Sequence, residues 1–82
     1  MLRQVVLSKA GKDSGSFYAI MLEEGDFAYI ADGRLRKVEK PKRKRIKHLA
    51  FTKTVLTQEE CETNSRLRAA LSKFNNSERG RE

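Results

Sequence analysis

Arg3-Gln-Val-Val-Leu-Ser8, Lys9-Ala-Gly-Lys-Asp-Ser-Gly15 and Ser16-Phe-Tyr-Ala-Ile-Met-Leu22 follow one another without a break, and their reading decides the fold. The first stretch is β-branched and apolar at its centre, and the glycines after it cut it off too early for a helix, which predicts a strand over 3–8. The second holds Gly11, Asp13 and Gly15 within seven residues. Glycine reaches positive φ without steric cost, so this is loop chemistry. The third predicts a strand over 16–22 in which Phe17, Ala19 and Met21 alternate with Tyr18, Ile20 and Leu22. Both of its faces are apolar, the pattern of a strand with one face turned into a small barrel and the other partly covered by a loop or tail.

Further along, Glu23-Glu-Gly-Asp26 predicts a turn and 27–31 a third strand with Phe27, Tyr29 and Ala31 on one side. Asp32-Gly33 is a strong type I′ hairpin signal, which predicts a fourth strand over 34–38 paired with the third. Pro41 lacks an N–H and ends regular pairing there, so 42–45 is expected as a purely basic linker. A fifth strand is expected over 48–54, with Leu49 and Phe51 pointing inward.

The tail has a different character. Thr57-Gln-Glu-Glu60 has capping-box spacing, and Thr63-Asn-Ser65 offers N-caps just before Leu67, Ala70, Leu71 and Phe74. That spacing places the four on one helical face, which predicts a helix docked on the barrel. From Asn75 no apolar residue follows, and the end is expected to be disordered. The expected organisation is a barrel over 1–55 that includes the basic segment 34–47, a helical tail over 56–74 and a disordered end over 75–82. The expected fold is mainly β: a small SH3-like β-barrel with a short C-terminal α-helix. An OB-fold is the alternative, although it usually needs a longer chain.

Composition narrows the function. The 82 residues allow one small core, and with 38% hydrophobic and 35% charged residues little remains for a deep substrate cavity, so no enzyme is expected. No apolar run reaches the ~20 residues of a membrane helix, and the N-terminus lacks a secretion signal's apolar stretch, which predicts a cytoplasmic protein. Cys61 and His48 stand alone in their residue types, so neither a disulfide within the chain, a structural zinc site nor any other cofactor is expected. Cys61 reads as an ordinary half-buried helical residue.

The formal charge is +7, and its distribution says more than its size. Between 34 and 47, Arg34, Arg36, Lys37, Lys40, Lys42, Arg43, Lys44, Arg45 and Lys47 face one acid, Glu39, so the segment is more positive than the whole chain. Cations packed so densely repel one another unless a polyanion compensates, and each phosphate neutralised releases counterions.

The stretch from Gln4 to Gly15, followed by Phe17 to Ile20, resembles the KOW motif of NusG-type elongation factors and several large-subunit ribosomal proteins. Asp32-Gly33, Arg36, Val38, Pro41-Lys42, Lys44 and Lys47-His48-Leu49 resemble the signature that follows this unit in bacterial relatives of the archaeal and eukaryotic KOW ribosomal proteins. The tail is similar more loosely. The resemblance implies an SH3-like fold, RNA binding, and association with the ribosome or its assembly. Ser14 stands where a lysine is common in the motif, which shifts the phosphate-binding role from the loop toward the basic segment.

The expected partner is RNA, ribosomal RNA first, with ribosomal proteins as further neighbours, no membrane, and a monomeric state. The candidate RNA-binding residues are Lys9, Lys12, Arg34, Arg36, Lys37, Lys42, Arg43, Lys44, Arg45, Lys47 and His48. Arginine adds bidentate phosphate binding and stacking on bases. For the loop over 9–15 two readings are open: backbone close to RNA, or glycines that only permit the turn. Phe17, Tyr18, Phe27 and Tyr29 are either core or a stacking platform for bases. A protein-interaction module of the transcription-elongation type is the competing function, and DNA is a weaker third partner.

Overall fold

The computed structural model describes residues 1–11 and 14–80, the last five of these by backbone alone. Five strands, β1 (Gln4–Ser8), β2 (Phe17–Glu24), β3 (Phe27–Ala31), β4 (Lys42–Arg45) and β5 (Leu49–Val55), form one antiparallel sheet in the order β4-β3-β2-β1-β5. A 3-10 turn (Ile46–His48) joins β4 to β5, and a second (Glu59–Cys61) precedes the helix α1 (Asn64–Gly80). That helix is neither long nor apolar enough to cross a membrane.

β2 carries apolar side chains on both faces because both are covered. On one face Val6, Tyr18, Ile20, Ala28, Ile30 and Leu49 are buried with Ile46 beside them. This cluster is drawn from the strands of the sheet itself together with Ile46, so it is the curl of the sheet that buries it. Register shifts between Ile20 and Leu22 in β2 and between Gln4 and Val6 in β1 provide the bends. The curl does not close into a barrel, since the edge strands β4 and β5 are not hydrogen-bonded to each other. On the opposite face Val5, Ala19 and Ala31 pack against Leu56, Cys61, Leu67 and Leu71, with Ala70 and Phe74 partly buried around them. The stripe expected on the helix is therefore its docking face. Leu71→Ala should lower the unfolding free energy by about 2–5 kcal/mol in a denaturant titration, whereas an unchanged midpoint would mean that the helix is undocked.

The tail's caps form as its sequence indicates. The Thr57 amide donates to Glu60 Oε1 at 2.9 Å and the Glu60 amide to Thr57 Oγ1 at 3.1 Å, a reciprocal capping box on the second 3-10 turn. Thr63 Oγ1 accepts the Arg66 amide at 3.1 Å and caps α1. The helix runs past Phe74, where a disordered end is expected from sequence. Asn75 explains its own order, since its Oδ1 accepts the Phe17 amide at 2.8 Å and its Nδ2 donates to the Phe17 carbonyl at 3.3 Å. Residues 81–82 lie outside the described residues.

Three expectations are corrected. Residues 34–38 form no strand. The Asp32 carboxylate accepts the amides of Arg34 and Arg36, both at 2.9 Å, and Asp32 has no positive φ, so a side-chain-capped loop replaces the type I′ hairpin. The strand that pairs with β3 is the supposed linker, with Phe27 opposite Arg45 and Ile30 opposite Lys42. Pro41 does not prevent it, because proline is tolerated where an edge strand begins. Phe51 shares the face of the buried Leu49, opposite Val6, but is not buried with it and is 42% exposed on the edge strand. By contrast, the turn after β2 holds: Glu24 pairs with Phe27 across Gly25-Asp26, and Gly25 at φ 60 suits the first position of a type II′ turn.

Candidate nucleic-acid interface

A strand alternates its side chains, so four successive cations in β4 cannot act as one cluster. Arg43 and Arg45 lie opposite Tyr29 and Phe27 on the sheet face that α1 also uses, beyond the part the helix covers. Arg43 Cζ stands 4.3 Å and Arg45 Cζ 5.0 Å from the Phe27 ring centroid. Each such contact contributes ~0.5–1 kcal/mol at an exposed site, which offsets part of the repulsion between the two cations and keeps both guanidinium groups over the ring. Tyr29 lies beside them, its hydroxyl donating to Glu24 Oε1 at 3.2 Å. A phosphate can be gripped by either guanidinium, and a base can stack on their outer faces.

Lys42 and Lys44 take the other side of β4. Lys44 is half-buried and its Nζ donates to the Ala10 carbonyl at 2.9 Å, latching the edge strand to the glycine loop. Of the four cations, this one has a structural task. Gly11 lies under it, 3.1 Å separating Nζ from the position a Cβ would take.

The loop between β3 and β4 carries the other cations and is held from below. Asn64, at the start of α1, accepts the Val38 amide on Oδ1 at 2.7 Å while its Nδ2 donates to both Glu39 oxygens at 2.9 and 3.1 Å. The Glu39 carboxyl is thereby held below its ordinary value, chiefly by the Asn64 amide, then by its own backbone amide and by Lys37. A depressed carboxyl stabilises the fold above its ordinary pKa and loses that contribution as pH falls through the lowered value. Asn64→Ala should cost about 1–3 kcal/mol at neutral pH, from the orphaned Val38 amide, and the gap from the parent protein should narrow in acid. Equal denaturation midpoints at neutral pH would contradict this role for Asn64.

Arg36, Lys37, Lys42 and Arg43 meet in one groove with Lys40, Leu35 and Pro41. Lys9 has an exposed side chain while its amide donates to the His48 carbonyl at 2.9 Å, and Lys47 is exposed on the 3-10 turn. Arg34 is exposed at the start of the basic loop, and Lys12 lies outside the described residues. The sequence-predicted cations thus divide into the β4 outer face, the loop groove and the end of the sheet near Ala10 and His48.

Of the four aromatics weighed as a platform, Tyr18 is fully buried and Phe17 packs on Phe74 at 5.3 Å between ring centroids, which removes both. Phe27 and Tyr29 remain. Phe27 had no local signal marking it as surface, since its role depends on the arginines across the ladder. Cys61 is buried, and burial pushes its thiol pKa up, as befits a packing residue. No protein-family model matches the chain, and no curated protein matches it.

Proposed function

We propose that this chain is an RNA-binding protein associated with the ribosome or its assembly, and that it holds RNA phosphates and bases on the outer face of β4 and on the basic loop before it. The observation that carries this reading is the pair Arg43 and Arg45 laid over Phe27, next to a groove lined by Arg36, Lys37, Lys40, Lys42 and Arg43 with no acid among them. Cationic planes on an aromatic base, beside a concentration of positive charge, suit a polyanion with stackable bases better than a purely ionic partner. The KOW resemblance supports the same reading. So does the SH3-like character we infer for the curled five-stranded sheet, with a 3-10 turn between its last two strands.

The elongation-type alternative draws on a different surface, where Leu2, Phe51 and Val55 expose apolar side chains on and beside β5. Sedimenting a lysate through a sucrose gradient at low and high salt tests the choice. Co-migration with ribosomal particles at low salt, lost at high salt, is expected for phosphate contacts. Recovery only at the top of the gradient at low salt would overturn the ribosomal assignment.

A further inference from the structure

In the most basic part of the surface one apolar side chain stands in water. Leu35 is 75% exposed, and with Pro41 it supplies the apolar part of a groove of about 430 Å³ whose other walls are Arg36, Lys37, Lys40, Lys42 and Arg43. The loop that presents it is braced. Asp32 holds the amides on both sides of Leu35, those of Arg34 and Arg36, the Gly33 amide donates to the Arg36 carbonyl at 3.0 Å, and the Lys40 amide donates to the Lys37 carbonyl at 3.0 Å. Asn64 fixes the same loop to α1 through Val38. Leu35 is therefore held out by its backbone.

Phosphate binding alone calls for cations and gives no use to a leucine. An uninterrupted RNA duplex keeps its bases in the stack and offers mainly phosphates and 2′-hydroxyls, whereas a bulged or single-stranded nucleotide offers an apolar base face together with its flanking phosphates. The groove has that composition: an apolar tip between five cations, with the carboxylate of the neighbouring Glu39 engaged by the Asn64 amide. Its volume admits one nucleotide.

We propose that this groove receives an unpaired RNA nucleotide, the base resting on Leu35 and Pro41 and the adjoining phosphates on Arg36, Lys37, Lys40, Lys42 and Arg43. The inference rests on the RNA-binding reading above and adds the kind of RNA bound.

The test uses fluorescence anisotropy with three labelled RNAs: a continuous duplex, the same duplex with one bulged nucleotide, and the same with an abasic residue in the bulge. The protein should bind the bulged RNA about tenfold more tightly than the continuous duplex, the scale expected for burying a leucine side chain, and the abasic bulge should return to the duplex level. Leu35→Ser leaves every cation in place. It should abolish the preference while keeping the duplex affinity, its salt slope and the melting temperature. Equal binding of all three RNAs, or a preference that survives in Leu35→Ser, would overturn the nucleotide site and leave RNA binding standing. No binding to any of them at low salt would overturn both.

Discussion

Gly33→Ala should destabilise the protein by on the order of 4 kcal/mol, far more than the same change at Gly25. Two costs coincide at Gly33. Its φ is 79, a region that a residue with a Cβ occupies only under strain, and the Cβ would run into the Asn64 carbonyl and approach the Arg68 amide to 3.0 Å. Strain of this kind and overpacking against backbone cost about 1–3 kcal/mol each. Neither obstacle can swing aside, because both are main-chain atoms of the docked helix. Gly25 has a similar φ of 60 but nothing within 4 Å of its would-be Cβ, so it bears the first cost alone. Urea denaturation of the two variants measures the difference directly. Equal losses would mean that α1 does not pack against the Asp32-Gly33 corner.

The second large effect is on RNA. Arg43→Gln with Arg45→Gln should remove about two phosphate contacts, weaken binding by on the order of tenfold at ~0.1 M salt, and flatten the salt slope by about 1.4 for single-stranded RNA. Adding Lys42→Gln should flatten it further. Lys44→Gln belongs to another class, since its Nζ serves the Ala10 carbonyl, and it should lower stability as well as positive charge. Replacing Lys9 and Lys12 should cost less affinity than the arginine pair. A titration in which the loop double variant lost more would move the RNA-facing surface to the glycine loop.

The parts of the fold legible in sequence are those whose own residues carry an apolar, β-branched or capping pattern. Val5 and Val6, Tyr18 and Ile20, and Ala28 and Ile30 declare their strands locally, and the Thr57 and Thr63 caps with Leu67 and Leu71 declare the tail. β4 could not be read this way. Lys-Arg-Lys-Arg has no polarity contrast, so a period of two is invisible in it, and its strand conformation comes from pairing with Phe27 to Ile30. A run of charge on a sheet edge is itself a known device against edge-to-edge association, and that was the available signal. Asp32-Gly33 misleads for a related reason, because the aspartate side chain can satisfy the amides a hairpin would have used. The charge of the candidate site was legible residue by residue. Its division between a face, a groove and a latch was not, because that division is made by strand alternation, by Asn64 twenty-six positions from Val38, and by the reach of Lys44 to Ala10.

The most direct measurement is the affinity of the protein for a labelled single-stranded RNA as a function of salt, with the Arg43→Gln, Arg45→Gln protein alongside. Engagement of about five phosphates predicts a log–log slope near −3.5 for the parent protein, and a slope near −2.1 for the variant. No binding at low salt, or binding whose strength is independent of salt and identical in the two proteins, would contradict an RNA interface on β4.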